Sequence, residues 1–321
     1  MRIAIIDDYS RAFANLRCAA KLGGHRLDIF HDAPRDADEL AARLAEAEAV
    51  LLTQQRTALP RAILERLPRL RLISQTGRNV DHIDIAACRA LGITVCAGGG
   101  GGVEATAELT WALILAALRH IPEEVQRLRS GQWQGSLGTG VSGRVLGLYG
   151  LGRIGGRVAR VGEAFGMRIL CWGREGTWER AAAAGYAVAD SRERFFAESD
   201  VLSLHIRLTP DTRGVVTAAD LARMKPGALL VNTSRAPIIE AGALEAALRQ
   251  GRPGRAAVDV YEEEPVLGGR HPLLALPNAL CTPHLGYVEE ATYETLYDTA
   301  VEQILAFEAG RPINLLEPAP G

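Results

Sequence analysis

The sequence predicts an α/β protein made of two doubly wound parallel-sheet units. Three observations carry that expectation. Short apolar runs alternate with helical patterns along almost the whole chain. A run of glycines at residues 98–102 interrupts the alternation once, and an apolar strand near mid-chain ends in a glycine turn that opens a helix. Strands alternating with helices imply parallel sheets covered on both faces.

In chain order, residues 3–6, 27–30, 50–52, 70–74 and 93–96 read as buried strands. Between them Leu40, Leu44 and Ala47 mark one helix face, and Pro60 suits the first turn of another helix. The glycines of 98–102 turn anywhere, so they read as a hinge between domains. Residues 104–119 predict a long helix with Ala107, Trp111, Ile114 and Leu118 on one face. The strand 144–149 then runs into Gly150-Leu151-Gly152-Arg153-Ile154-Gly155, and Ile154, Val158, Val161 and Phe165 predict the buried face of the helix that follows. Further strands are expected at 168–172, 201–205, 228–232, 256–260 and 279–282. A last helix, about 289–309, puts Leu296, Ala300, Ile304 and Phe307 on one face and stops at Gly310 and Pro312.

The bulk numbers narrow the function. A chain of 321 residues is long enough for two ordinary domains, and 48% apolar with 23% charged residues is typical of a globular protein. A net charge of −2 offers no attraction to nucleic acid or to anionic membrane. Five scattered cysteines without a CxxC pair fit a reducing cytosol and supply no metal or redox motif. The apolar run 3–6 is too short for a signal peptide, and 109–118 falls short of the ~20 residues of a membrane span. A cytoplasmic protein with a small-molecule partner is expected.

The chemistry concentrates after strands. In a GxGxxG turn between strand and helix, the first glycine makes the turn, the second admits a pyrophosphate, and the third lets helix and strand pack closely. Such a turn can also be a plain connection, but its setting here favours a dinucleotide. Polar groups then gather at 201–206, 232–235, 258–265 and 282–286, all at expected strand ends, where ligands bind in open α/β sheets. Arginine clamps a carboxylate with two hydrogen bonds, and histidine exchanges a proton near neutral pH. An adjacent carboxylate orients that imidazole and favours its protonated form. Taken singly, Arg235 reads equally as a surface residue, Glu264 as part of a solvated acidic run, and His284 or His205 as a satisfied strand-end histidine. Tyr287 and Trp133 read as packing residues, and the histidines at 25, 31, 82, 120 and 271 join no motif.

As an ordered series these segments resemble the D-isomer-specific 2-hydroxyacid dehydrogenases over essentially the whole chain. The match lies in the segments 147–155, 224–235, 257–265 and in Thr282-Pro283-His284. The resemblance implies a Rossmann cofactor domain, 99–286, inserted into a flavodoxin-like substrate domain made of 1–98 and 287–321. It implies that Arg235 binds the substrate's carboxylate and oxo groups, that His284 is the acid/base, and that Glu264 hydrogen-bonds to it. Gly150, Gly152, Arg153, Ile154 and Gly155 would meet the cofactor pyrophosphate, Thr233 and Asp259 the nicotinamide, and Ile206 the adenosine. Arg56, Arg78 and Asn79, with Gln54, are the expected substrate-selecting residues. The cleft between the domains would hold the substrate, and a homodimer is expected through residues 104–143.

Two departures from the family pattern bear on selectivity. Where many relatives carry an aspartate for the ribose of NAD, this chain has Gly173 followed by Arg174 and Glu175. NAD(P) is therefore the expected cofactor, with NADPH favoured through Arg174 and NADH usable. Relatives that bind a phosphorylated substrate carry an additional arginine where this chain has Gln54, which favours a glyoxylate- or hydroxypyruvate-like 2-oxo acid over 3-phosphoglycerate. The sequence ending soon after Pro312 points the same way. A nicotinamide-sensing binding protein is the alternative from another class, since such relatives can keep all three catalytic positions.

Overall fold

The computed structural model describes residues 1–100 and 102–316; Gly101 of the glycine run and residues 317–321 of the expected substrate domain lie outside the described residues. The chain divides into two compact units, Met1–Gly102 with Glu289–Gly321, and Val103–Val288.

The first unit holds β1 (Arg2–Ile5), β2 (Arg26–Ile29), α1 (Ala37–Leu44), β3 (Ala49–Leu52), α2 (Arg61–Leu64), β4 (Leu72–Gln75), α3 (Ile85–Ala90) and β5 (Thr94–Ala97). Its strands pair in parallel in the order β2-β1-β3-β4-β5. Period-2 alternation sends Ala4, Val50, Leu52, Ile73 and Val95 to one core with Leu40, Leu44 and Ile63 from the helices. α1 starts where Asp36 accepts a hydrogen bond from the Glu39 N–H at 2.8 Å, satisfying an orphan donor of the first turn. Part of the glycine run is set by packing within this unit. A Cβ on Gly98 would lie 2.5 Å from Asn314 Nδ2, and one on Gly99 would lie 2.9 Å from the Thr76 carbonyl oxygen.

The second unit opens with α4 (Val103–Arg119), α5 (Ile121–Arg129), β6 (Val145–Tyr149), α6 (Arg153–Ala164), β7 (Arg168–Trp172), α7 (Glu175–Ala183) and β8 (Ala187–Val188). It continues through α8 (Arg192–Glu198), β9 (Val201–Leu204), α9 (Ala218–Arg223), β10 (Leu229–Asn232), α10 (Ala243–Arg249), β11 (Arg255–Val258) and β12 (Ala279–Cys281). All seven strands are parallel, in the order β12-β11-β10-β9-β6-β7-β8. Leu146, Leu148, Leu229 and Val231 face a core shared with Trp111, Ile114 and Val158. Val145, Tyr149, Leu202, Leu204 and Leu230 face the other, with Phe195 and Phe196. The chain then returns to the first unit as α11 (Glu290–Glu308), whose Leu296, Ala300 and Ile304 are buried. There the Ser74 hydroxyl donates to the Ala300 carbonyl at 2.9 Å, and Gly310, at φ 71°, ends the helix.

Both sheets are doubly wound α/β layers, as the alternation of runs predicts. The buried face of α6 differs from the expected one. Val161 and Phe165 are exposed, and the face that packs is Gly155, Val158, Ala159 and Gly162. A Cβ on Gly162 would come within 2.7 Å of Leu146 Cδ2, so the helix approaches the sheet through its smallest residues. Phe165 instead packs on Trp111, with ring centroids 5.0 Å apart.

One consequence of the register governs the function. Tyr149 pairs with Trp172 and Leu204, Leu204 with Asn232, Asn232 with Val258, and Val258 with Cys281. The carboxyl ends of six strands therefore lie at one level, and the polar segments all emerge along the same edge. Among the described residues no helix is long and apolar enough to cross a membrane.

Candidate active site

The glycine turn meets the physical requirements of a dinucleotide cradle. Gly150 sits at φ 95°, and a Cβ there would lie 2.7 Å from the His205 carbonyl oxygen and 2.8 Å from Ile206 Cγ2. A Cβ on Gly155 would overlap the Gly150 carbonyl oxygen, so only glycine lets α6 start this close to the turn. At Gly152 a Cβ would meet nothing within 4 Å. The middle glycine faces open space, and as N-cap of α6 it places no side chain before the first N–H groups of Arg153 and Ile154. Both strand-end neighbours are fixed, since Ile206 accepts from the Ser234 hydroxyl at 2.7 Å and His205 bonds Ser203 at 2.9 Å. Burial pushes His205 down to about 4, which suits a neutral structural imidazole.

After β10, Asn232 ties the next turn together. Its Oδ1 accepts from the Ser234 N–H and its Nδ2 donates to the Arg235 carbonyl, each at 3.0 Å. That leaves Arg235 extended (φ −149°, ψ 138°) with an exposed guanidinium whose Nη1 donates to the Ser234 carbonyl at 2.7 Å. Thr233 turns inward, and its hydroxyl bonds Thr110 of α4 at 2.9 Å.

Glu264 and His284 are in direct contact through Oε2 and Nδ1. The other oxygen of Glu264 accepts from the Tyr261 N–H at 2.8 Å, which fixes the carboxylate. Burial raises the Glu264 carboxyl, but the His284 hydrogen bond and charge, the Tyr261 N–H and the charge of Arg235 outweigh it and hold it below the usual range. His284 has a left-handed backbone, φ 53°, and its ring stands edge-on to Tyr287 with centroids 5.3 Å apart. With Nδ1 committed to Glu264, Nε2 is the nitrogen left for a ligand. Arg235 makes no hydrogen bond to either residue among the described residues.

Asp259 does more than the motif suggests. It is fully buried, and it accepts from Thr282 Oγ1 at 2.6 Å, from the Leu285 N–H at 2.7 Å and from the Gly286 N–H at 2.8 Å. The carboxylate thus clamps both sides of the segment that carries His284. Burial raises its pKa, opposed by these donors and by the charge of His284. Only the aspartate following a buried strand hinted at this in the sequence.

At the end of β7, Gly173 has φ 156°, and a Cβ there would lie 2.6 Å from Thr177 Oγ1. Arg174 pairs at 3.5 Å with Asp211, and that carboxylate rather than Glu175 is its partner. In the first unit Arg56 donates to the Asp7 carbonyl at 3.0 Å and lies over the Tyr9 ring, 5.2 Å from its centroid. Asn79 accepts from Gln75 Nε2 through its carbonyl at 3.1 Å, and Arg78 is exposed.

Residues 111–286 match the family described as D-isomer specific 2-hydroxyacid dehydrogenase, NAD binding domain. The chain belongs to this family. As a D-2-hydroxyacid dehydrogenase it is a nicotinamide-dependent oxidoreductase acting on a CH–OH group. It is 40% identical over 299 residues to a glyoxylate reductase of Aeropyrum pernix, covering 90% of this chain and 88% of that one. It is 35% identical to a D-3-phosphoglycerate dehydrogenase of Methanocaldococcus jannaschii, over 83% of this chain but only 51% of that protein's length. A crystal structure from Ralstonia solanacearum, titled putative D-3-phosphoglycerate dehydrogenase oxidoreductase, superposes with TM-score 0.94 at 46% identity over 99% of this chain and 98% of that one.

Proposed function

We propose that this dehydrogenase reduces a small, unphosphorylated 2-oxo acid, of the glyoxylate or hydroxypyruvate kind, to the D-2-hydroxy acid. The observation that carries the reading is the Glu264–His284 contact at the strand edge that also presents the exposed Arg235. Arg235 holds the substrate's carboxylate and oxo groups through its planar fork. His284 delivers the proton to the oxo oxygen from Nε2, and Glu264 keeps Nδ1 engaged so that the ring stays oriented. A bound reduced nicotinamide supplies the hydride. Gly150, Gly152, Arg153, Ile154 and Gly155 hold its pyrophosphate, Ile206 lies beside its adenosine, and Thr233 and Asp259 lie near its nicotinamide ring.

Arg56, Arg78 and Asn79 are the proposed substrate-selecting residues. Gln54 supports the unphosphorylated substrate. It brings no charge, and its amide lies against Gly77, where a Cβ would sit 3.0 Å from Oε1. The name of the Aeropyrum pernix relative points the same way. For the cofactor we favour NADPH with NADH usable, because Gly173 offers no carboxylate to repel a 2′-phosphate and Arg174 stands next to it. We further propose a cytoplasmic homodimer that associates through residues 104–143, where Trp133 and Leu137 are 77% and 94% exposed. The domain assignment proposed is a substrate domain of 1–98 and 287–321 around a cofactor domain of 99–286.

The test is a panel of 2-oxo acids, including 3-phosphohydroxypyruvate, assayed with NADH and NADPH for loss of reduced cofactor. Glyoxylate or hydroxypyruvate should be turned over fastest, and a phosphorylated substrate ranking first would overturn the substrate assignment. His284→Gln should lower kcat by a factor of ~10² to 10⁴, the usual contribution of a positioned proton donor. Unchanged turnover would remove histidine from the mechanism.

A further inference from the structure

We infer that Arg180 is a second cation of the cofactor site and binds the 2′-phosphate of NADPH together with Arg174. The inference rests on the NADPH reading above and assigns it a residue outside the sequence motif. Arg180 lies in the second turn of α7, and side chains of a helix lean toward its N-terminus. Here that lean carries the guanidinium back over the first turn. A Cβ built on Gly176 would lie 3.2 Å from Nη1 and 3.6 Å from Nη2 of Arg180, so the guanidinium lies directly over this glycine. Its Nε donates at 2.6 Å to the carbonyl of Leu151, between the first two glycines of the turn. One side chain thus links the glycine turn to the first turn of α7, the helix that follows the strand end at Gly173 and Arg174; the glycine turn and that strand end flank the adenosine ribose in this fold.

The charges at this strand end favour an anion. Arg174 already has Asp211 at 3.5 Å, whereas no carboxylate of the described residues lies within ion-pairing distance of Arg180. With Nε held by Leu151, the two Nη groups of Arg180 keep a planar pair of donors suited to phosphate oxygens. Nor can the strand end readily take the carboxylate that selects NAD, because a side chain at Gly173 would collide with Thr177, a buried residue. A cation with no acid partner among the described residues, tied to the glycine turn and held over the first turn of the helix after Gly173, suits a dianionic 2′-phosphate.

Calorimetric titration of the full-length protein with 2′,5′-ADP and 5′-AMP tests this without turnover. The wild type should bind 2′,5′-ADP at least tenfold more tightly than 5′-AMP. Arg180→Met should lose about tenfold to hundredfold in 2′,5′-ADP affinity, the range of one charge-assisted hydrogen bond, while 5′-AMP stays within twofold. Arg180→Lys keeps the charge without the fork and should fall between the two; it decides the matter if the methionine variant does not fold. Equal weakening of both nucleotides would make Arg180 a support of the glycine turn and overturn the proposal. If the wild type discriminates and both Arg180 variants still do, the NADPH reading stands and Arg180 falls. If the wild type binds both nucleotides alike, the cofactor reading itself fails and takes this inference with it.

Discussion

Asp259→Asn tests how the His284 segment is held. The buried carboxylate accepts three hydrogen bonds, from Thr282 and Leu285 on one oxygen and from Gly286 on the other. An amide retains one acceptor oxygen. The less costly orientation keeps that oxygen toward Thr282 and Leu285 and turns the NH₂ group onto the Gly286 N–H, donor against donor. One buried backbone N–H then loses its partner, which costs about 1–3 kcal/mol. Because burial raises the Asp259 pKa, the native carboxylate already bears a desolvation cost that a neutral amide avoids. The net loss should therefore fall near the lower end, about 1–2 kcal/mol. Asp259→Ala strands both N–H groups and should cost about 2–6 kcal/mol on the same scale. Activity should drop further than stability, since a shift of about 1 Å in a catalytic group can cost about a hundredfold in rate. Urea unfolding midpoints and kcat on an accepted 2-oxo acid are the two measurements. An Asp259→Asn enzyme with wild-type midpoint and wild-type kcat would refute the argument that this carboxylate positions His284.

Three further outcomes are expected. The Glu264 carboxyl titrates below its ordinary value in the folded protein, so its stabilisation is fully present above the unfolded value of about 4.3 and is lost as pH falls through the lowered folded one. Glu264→Gln should therefore melt below the wild type at pH 7, with the gap closing under about pH 4; a gap independent of pH would remove the ion pair from the stability of the loop. Exchanging Gln54, Arg56 and Arg78 should reorder the ranking of 2-oxo acids by kcat/KM, and a change in melting temperature with an unchanged ranking would show that they do not select. Glutamate at Leu128, Trp133 and Leu137 should convert the proposed dimer to monomer in light scattering, and a wild type already monomeric would end that proposal.

The sequence was most legible where burial dictates pattern. Strand 168–172 is found at the bounds its apolar run predicts, and Ala107, Trp111, Ile114 and Leu118 all lie in the core. Two elements escape this reading. α5 carries an apolar stripe, Ile121, Val125 and Leu128, but leaves it exposed, and it begins after His120 in a left-handed conformation that no residue pattern announces. β8 has two residues, too few for an alternation. The packed face of α6 departs from the apolar periodicity for a physical reason. Periodicity weights large apolar side chains, whereas this helix packs through Gly155, Ala159 and Gly162, which a hydrophobic pattern scores as nothing. Close approach selects for small residues there, and the large ones, Val161 and Phe165, are left outside.

The same asymmetry separates the parts of the candidate site that were readable from those that were not. Glu264 and His284 lie in polar strand-end segments, and their proposed roles come from the order of those segments rather than from either residue alone. The supporting groups act through geometry instead. Asp259 holds two backbone N–H groups more than twenty residues away, and Arg180 reaches a carbonyl in the glycine turn from a different helix. No spacing encodes either contact, because each depends on the strand register that brings the carboxyl ends of β6, β7, β11 and β12 to one level. It follows that substitutions within the motifs should remove chemistry, whereas substitutions at these supports should change where the chemistry is held. The two classes should differ in kinetics. Loss of His284 should lower kcat far more than stability, which falls only by its share of the Glu264 pair, while loss of Asp259 should lower both together.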